Sequence, residues 1–86
     1  QNYPNPFNSG TTIEYSLTQP AEVNLAIYDL TGRLINTLVD YDQPAGRFTV
    51  HWNGIGQRGT PVSAGVYFCR LQTADHNRTI KMLLLK

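Results

Sequence analysis

The scarcity of cysteine narrows the chemistry of this sequence first. It has one, Cys69, and two histidines, His51 and His76. One cysteine closes no internal disulfide, and that thiol with two histidines does not make a zinc site. Charged residues form only 15% of the chain, below the roughly 25% usual in soluble domains. Thr, Asn, Gln, Ser and Gly take their place, a balance that suits an extracellular β-domain better than a cytosolic enzyme. The formal net charge is +1, and the basic residues, Arg33, Arg47, Arg58, Arg70, Arg78, Lys81 and Lys86, form neither a run nor a helical stripe. Such a spread gives no support to nucleic-acid binding by phosphate neutralisation. Long apolar runs are also missing: Met82-Leu83-Leu84-Leu85 is far too short to cross a bilayer, so no membrane insertion is expected. Gln1 stands where an initiator Met would, and no signal peptide is visible, so the chain is expected to be a piece of a longer precursor or a mature fragment.

Catalytic patterns are equally sparse. Glu14 and Glu22 alternate away from apolar neighbours, while Asp29, Asp40, Asp42 and Asp75 lie in turn-like stretches. Paired-carboxylate chemistry needs two acids facing one cleft, and no such pair can be argued here. Ser9, Ser16 and Ser63 have no nucleophile elbow. Gly54-Ile55-Gly56-Gln57-Arg58-Gly59 has the spacing of a dinucleotide loop, but a proline and a strand pattern follow it where a helix is required. The same loop contains no acid for calcium. The expectation is a non-enzyme without cofactor or metal.

Alternation of period two dominates what is present. Ile13, Tyr15 and Leu17 share a face of 11–17. Val23, Leu25 and Ile27 share one of 22–28, with Asn24, Ala26 and Tyr28 outward. Asp29-Leu30-Thr31-Gly32 reads as a turn. The stretch 33–39 is a third strand whose alternation is broken, which predicts a bulge or burial on both faces. A polar turn region is expected over 40–46. Phe48, Val50 and Trp52 then point inward. The glycine-rich stretch 53–65 is a long loop, 66–73 the strongest strand, 75–77 a hairpin turn, and 78–85 the closing strand. Six strands result, or seven if part of Tyr3-Pro4-Asn5-Pro6-Phe7-Asn8 pairs at an edge. Short strands at this spacing predict one domain over 1–86, an all-β antiparallel sandwich of the immunoglobulin or fibronectin type III kind, with an extended proline-rich lead-in over 1–10. Pro4 and Pro6 hold that lead-in outside the ladder while Phe7 anchors it on the sandwich. Tyr28, Tyr41 and Phe68 are outward aromatics that a sugar or a partner could use.

The ordered pieces resemble a known pattern: YPNPFN at 3–8, TTIEYSL at 11–17, VNLAIYDLTGRLINTLVD at 23–40, AGRFTVHWNG at 45–54, GTPVSAGVYFCRLQT at 59–73 and RTIKMLLLK at 78–86. Together they resemble the C-terminal sorting domain of type IX secretion substrates and the similar immunoglobulin-like domain of flagellar hook-capping proteins. The resemblance implies a non-catalytic address, exported via the periplasm to the surface or the medium and recognised by secretion machinery. The positions matching its recognition signature are Gly65, Val66 and Tyr67 with Lys81, Leu83, Leu85 and Lys86, and Pro4, Asn5, Pro6 and Phe7 form the lead-in anchor. Asn53, where an aspartate is common, and Cys69, where an aromatic or aliphatic residue is common, are minor departures. Two other readings stay open: a structural or adhesive module self-associating through sheet edges, as in an extracellular filament, and a small carbohydrate-binding module.

Overall fold

The computed structural model describes residues 2–3 and 5–85. Seven strands run in chain order: β1 Asn2–Tyr3, β2 Thr11–Leu17, β3 Ala21–Asp29, β4 Leu34–Gln43, β5 Gly46–Trp52, β6 Gly65–Gln72 and β7 Asn77–Leu84. They form two sheets, β1-β2-β5 and β4-β3-β6-β7, with antiparallel neighbours throughout. This is the expected all-β immunoglobulin-like sandwich. Among the described residues no helix is long and apolar enough to cross a membrane.

Alternation places the core. Ile13 and Tyr15 of β2, Val23, Leu25 and Ile27 of β3, Tyr67 and Cys69 of β6, and Met82 and Leu84 of β7 are all buried between the sheets. Trp52 is the centre of an aromatic row. Its ring meets Phe7 at 5.7 Å and Tyr67 at 5.5 Å, both edge to face, the arrangement that ring quadrupoles favour. Its Nε1–H donates to the Ile55 carbonyl at 3.0 Å, so the buried indole leaves no unpaired donor.

Two expectations change, and the expected bulge is found twice. The third strand does not stop at Val39: β4 continues through Asp40, Tyr41, Asp42 and Gln43, paired with Ala21 to Asn24 of β3. Those residues read as turn because they are polar, but β4 is an edge strand largely open to water, where polar side chains cost nothing. The broken alternation belongs to two register shifts, at Leu25/Ala26 and Ile27/Tyr28, which leave Leu38 and Ile35 of β4 without a cross-strand partner. Both pack on the core. Ala26, expected to face outward, is buried; it sits beside the first of these shifts and opposite Arg70 of β6.

The β3–β4 turn is held by one carboxylate. Asp29 Oδ1 accepts from the Thr31 N–H at 2.9 Å, the Thr31 hydroxyl at 2.7 Å and the Arg33 N–H at 3.0 Å. Gly32 closes the turn at φ 88°, a conformation that a side chain would strain.

Candidate functional site

The lead-in and the last strand, far apart in sequence, form one unit. Asn2 and Tyr3 pair with Ile13 and Thr12, so the chain starts in the three-stranded sheet. By Phe7 it has crossed to the other sheet, where it lies parallel to β7 and bridges Leu84. The expectation that the lead-in stays outside the ladder is corrected. It contributes to both sheets, and Pro6 falls between the two pairing segments. Phe7 N–H donates to the Leu83 carbonyl at 3.0 Å, and Leu85 N–H donates to the Phe7 carbonyl at 2.7 Å. Asn5 adds two bonds by its side chain. Its Nδ2 donates to the Lys81 carbonyl, and its Oδ1 accepts from the Leu83 N–H, both at 3.0 Å.

One amide thus stands in for a residue of a neighbouring strand, supplying both the donor and the acceptor that the β7 edge requires. The missing N–H of Pro6 costs nothing, because the Asn5 side chain does the pairing. Phe7, 1% exposed, locks the arrangement by inserting its ring against Trp52. It packs on the sandwich at the edge of β7. Pro4 and Lys86 fall outside the described residues.

Register separates the other signature residues by face. Tyr67 pairs with Met82, and Cys69 with Ile80, on the core side. Tyr67 is a core residue: its ring packs on Trp52, its hydroxyl donates to the Ser63 carbonyl at 2.6 Å, and burial raises its pKa. The residue expected in a recognition surface thus lies in the core. Gly65, opposite Leu84, opens β6 at φ 147°, so its role is conformational. The remaining residues converge on the solvent side. Val66 lies opposite Leu83, Phe68 opposite Lys81, and Arg70 opposite Thr79. Leu83 is 36% and Leu85 44% exposed.

The sequence placed Tyr28 and Phe68 outward, as the structure does, but did not show that Arg70 joins them. Tyr28 lies directly opposite Phe68. The Arg70 guanidinium carbon stands 4.8 Å from the Tyr28 ring centroid, a cation–π contact, and Nη2 donates to the Tyr28 hydroxyl at 3.1 Å. Arg70 Nε is shielded from solvent without a hydrogen-bond partner. Tyr41, grouped with Tyr28 and Phe68 by sequence, pairs instead with the buried Val23 on the other face. The three aromatics therefore form no common platform. The two β4 bulges cancel in phase, so Tyr41 falls on the face that plain alternation counted from Leu34 would give it.

No catalytic arrangement accompanies this face. Cys69 is buried, and burial pushes its thiol up to about 12, far from a reactive thiolate. Among the described residues no three His, Cys, Asp or Glu side chains converge as metal ligands would.

A family model, the FlgD Ig-like domain, matches residues 5–77. The chain belongs to the FlgD Ig-like domain family. This is a non-enzymatic structural family. The family match ends where β7 begins. A solved structure of PorZ from Porphyromonas gingivalis, an essential bacterial surface component of the type-IX secretion system, is similar over 100% of this chain, at 27% identity and a TM-score of 0.69. FlgD from P. aeruginosa is similar over 86% of this chain, at 23% identity and a TM-score of 0.66, a likeness of fold alone. The chain spans 11% of the PorZ chain and 57% of the FlgD chain. No curated protein matches. The FlgD Ig-like fold thus accounts for the sandwich, and the likeness to PorZ extends through β7.

Proposed function

We propose that this FlgD-type Ig-like domain is a non-catalytic sorting domain, a folded address on an exported protein that type IX secretion machinery recognises at the cell surface. The observation that carries this reading is the joining of the lead-in to the last strand. Asn5 and Phe7 pair with Lys81, Leu83 and Leu85, so the two ends that resemble a sorting signature form one rigid feature. The whole-chain likeness to a component of that secretion system supports it. A sorting domain works by being bound, so it needs a stable surface and no reactive group. Deleting 81–86 from the full-length precursor, in the host that makes it, tests the reading. Cargo is expected to be retained inside the cell, and normal surface delivery overturns the proposal.

A second reading, a structural module that joins copies or partners through sheet edges, is favoured by one observation. β5 has a strand neighbour on one side only, along seven residues without proline or bulge. Concentration-dependent light scattering decides it: growth to dimers and larger species supports edge assembly, and a monomer at millimolar concentration removes it. A carbohydrate-binding reading loses its platform with Tyr41 on the other face.

A further inference from the structure

Backbone pairing makes part of the β7 edge unavailable to a partner, which turns attention from the edge to the face. The outward groups of Lys81, Leu83 and Leu85 are occupied by Asn5 and Phe7. We infer that the outer face of the β3-β6-β7 ladder, around Tyr28, Phe68, Lys81 and Leu83, is a docking surface for a second protein that sets acidic side chains around an apolar contact. The inference rests on the sorting reading and locates where recognition occurs.

Charge selects this occupant. The face is polarised along its strands. At one end Glu22 pairs with Asp42, and Asn24 with Asp40, placing three acids together. Toward the other end Lys81 lies opposite Phe68, and Arg70, opposite Ala26, lies between them and the acids. Asp29 already serves Thr31 and Arg33, and among the described residues neither Arg70 nor Lys81 is paired with an acid. The Arg70 guanidinium is held against Tyr28, so its remaining donors are oriented before any partner arrives. A carboxylate is the acceptor that fits such a fork. Beside the cations, Phe68, Val66, Leu83 and the exposed Leu85 supply an apolar area of the kind found at the centre of protein interfaces. An aromatic residue with an arginine beside it is also the commonest makeup of a binding hot spot. A nucleic acid would ask for a longer basic track than two cations provide.

The test compares export of the full-length precursor carrying Phe68→Ser, Lys81→Glu or a deletion of the whole domain. A photo-crosslinking residue is placed in parallel at Leu83 and, as a control, at Thr49 on β5. Thermal melting of the isolated variant chains shows whether each substitution leaves the fold intact. Lys81 is exposed, so Lys81→Glu keeps the test decisive if Phe68→Ser fails to fold. The expected result is export reduced roughly tenfold or more by either substitution at unchanged melting temperature. The Leu83 crosslink should map to an acidic stretch of one protein and the Thr49 probe should capture none. Loss of export on domain deletion with wild-type export of Lys81→Glu overturns the docking face while leaving the sorting reading intact. Undiminished export on deletion overturns both. A Leu83 crosslink to lipid, nucleic acid or a basic protein surface overturns the stated partner chemistry.

Discussion

Asn5 serves two β7 main-chain groups with one side chain, and its substitutions separate the two bonds. Asn5→Asp keeps an acceptor for the Leu83 N–H but brings a carboxylate against the Lys81 carbonyl, which then lacks its donor. A loss of about 1–3 kcal/mol is expected, measured as a shift in the urea midpoint. Phe7 is worth more. Its ring is fully buried against Trp52, and Phe7→Ala removes that packing and leaves a cavity. The expected cost of about 3–5 kcal/mol is a large part of the total stability of a domain this small, so the variant should melt well below wild type. A midpoint within a degree or two of wild type would mean that Phe7 is not the anchor. Of these roles only that of Phe7 was legible in the sequence. A large aromatic beside two prolines has to be buried or wasted. Asn5 was invisible as a pairing group, because an amide imitates a strand only when a strand edge has been folded up to meet it.

At the level of single elements, the Asp29 turn gives a pH dependence with a definite sign. The Thr31 hydroxyl above all, then the Arg33 N–H, hold the Asp29 carboxyl below its ordinary value of 3.8. A carboxyl with a depressed folded pKa stabilises the fold above its unfolded value, and that contribution is lost as pH falls through the folded one. Melting temperature should therefore hold at neutral pH and decline below about pH 4, and Asp29→Asn should flatten this decline; equal acid sensitivity in the two proteins would remove Asp29 as its source. The opening of β6 makes a second prediction. Gly65 has room for a methyl group but an unsuitable φ, so Gly65→Ala is expected to cost about 1–3 kcal/mol through backbone strain alone, read from denaturant unfolding. Strand existence was legible throughout from alternation. The length of β4 was not, since Asp40, Tyr41 and Asp42 carry the composition of a turn and only their pairing with β3 makes them strand. Its bulges were legible as broken alternation, and because the two cancel in phase Tyr41 lies on the face opposite Tyr28.

For the molecule as a whole, two sheets close on an interior that keeps its one thiol out of reach. Cys69 should resist a thiol reagent in the folded domain and react within minutes once unfolded in urea, because burial, with the thiol pushed to about 12, suppresses both access and ionisation. The sandwich itself follows from six short strand-like stretches, most of them alternating, and the outward set Val66, Lys81, Leu83 and Leu85 could be read from the same alternation. Tyr67 could not be separated from that set by motif alone, since a motif records which residues recur and not which way they point.

The crossing of the lead-in from one sheet to the other also determines how the domain bears tension. The segment around Phe7 runs parallel to β7, so a pull applied ahead of Asn5 and beyond Leu85 draws the two segments along each other in opposite directions. The four bonds made by Asn5 and Phe7 are then loaded together, in shear, and Phe7 has to be dragged from beside Trp52 before any strand can peel. A hairpin such as β6–β7, pulled at its open end, would break its bonds one at a time. Stretched through these two ends, the domain should yield in one abrupt high-force event, and Asn5→Ala should lower that force more than it lowers the melting temperature.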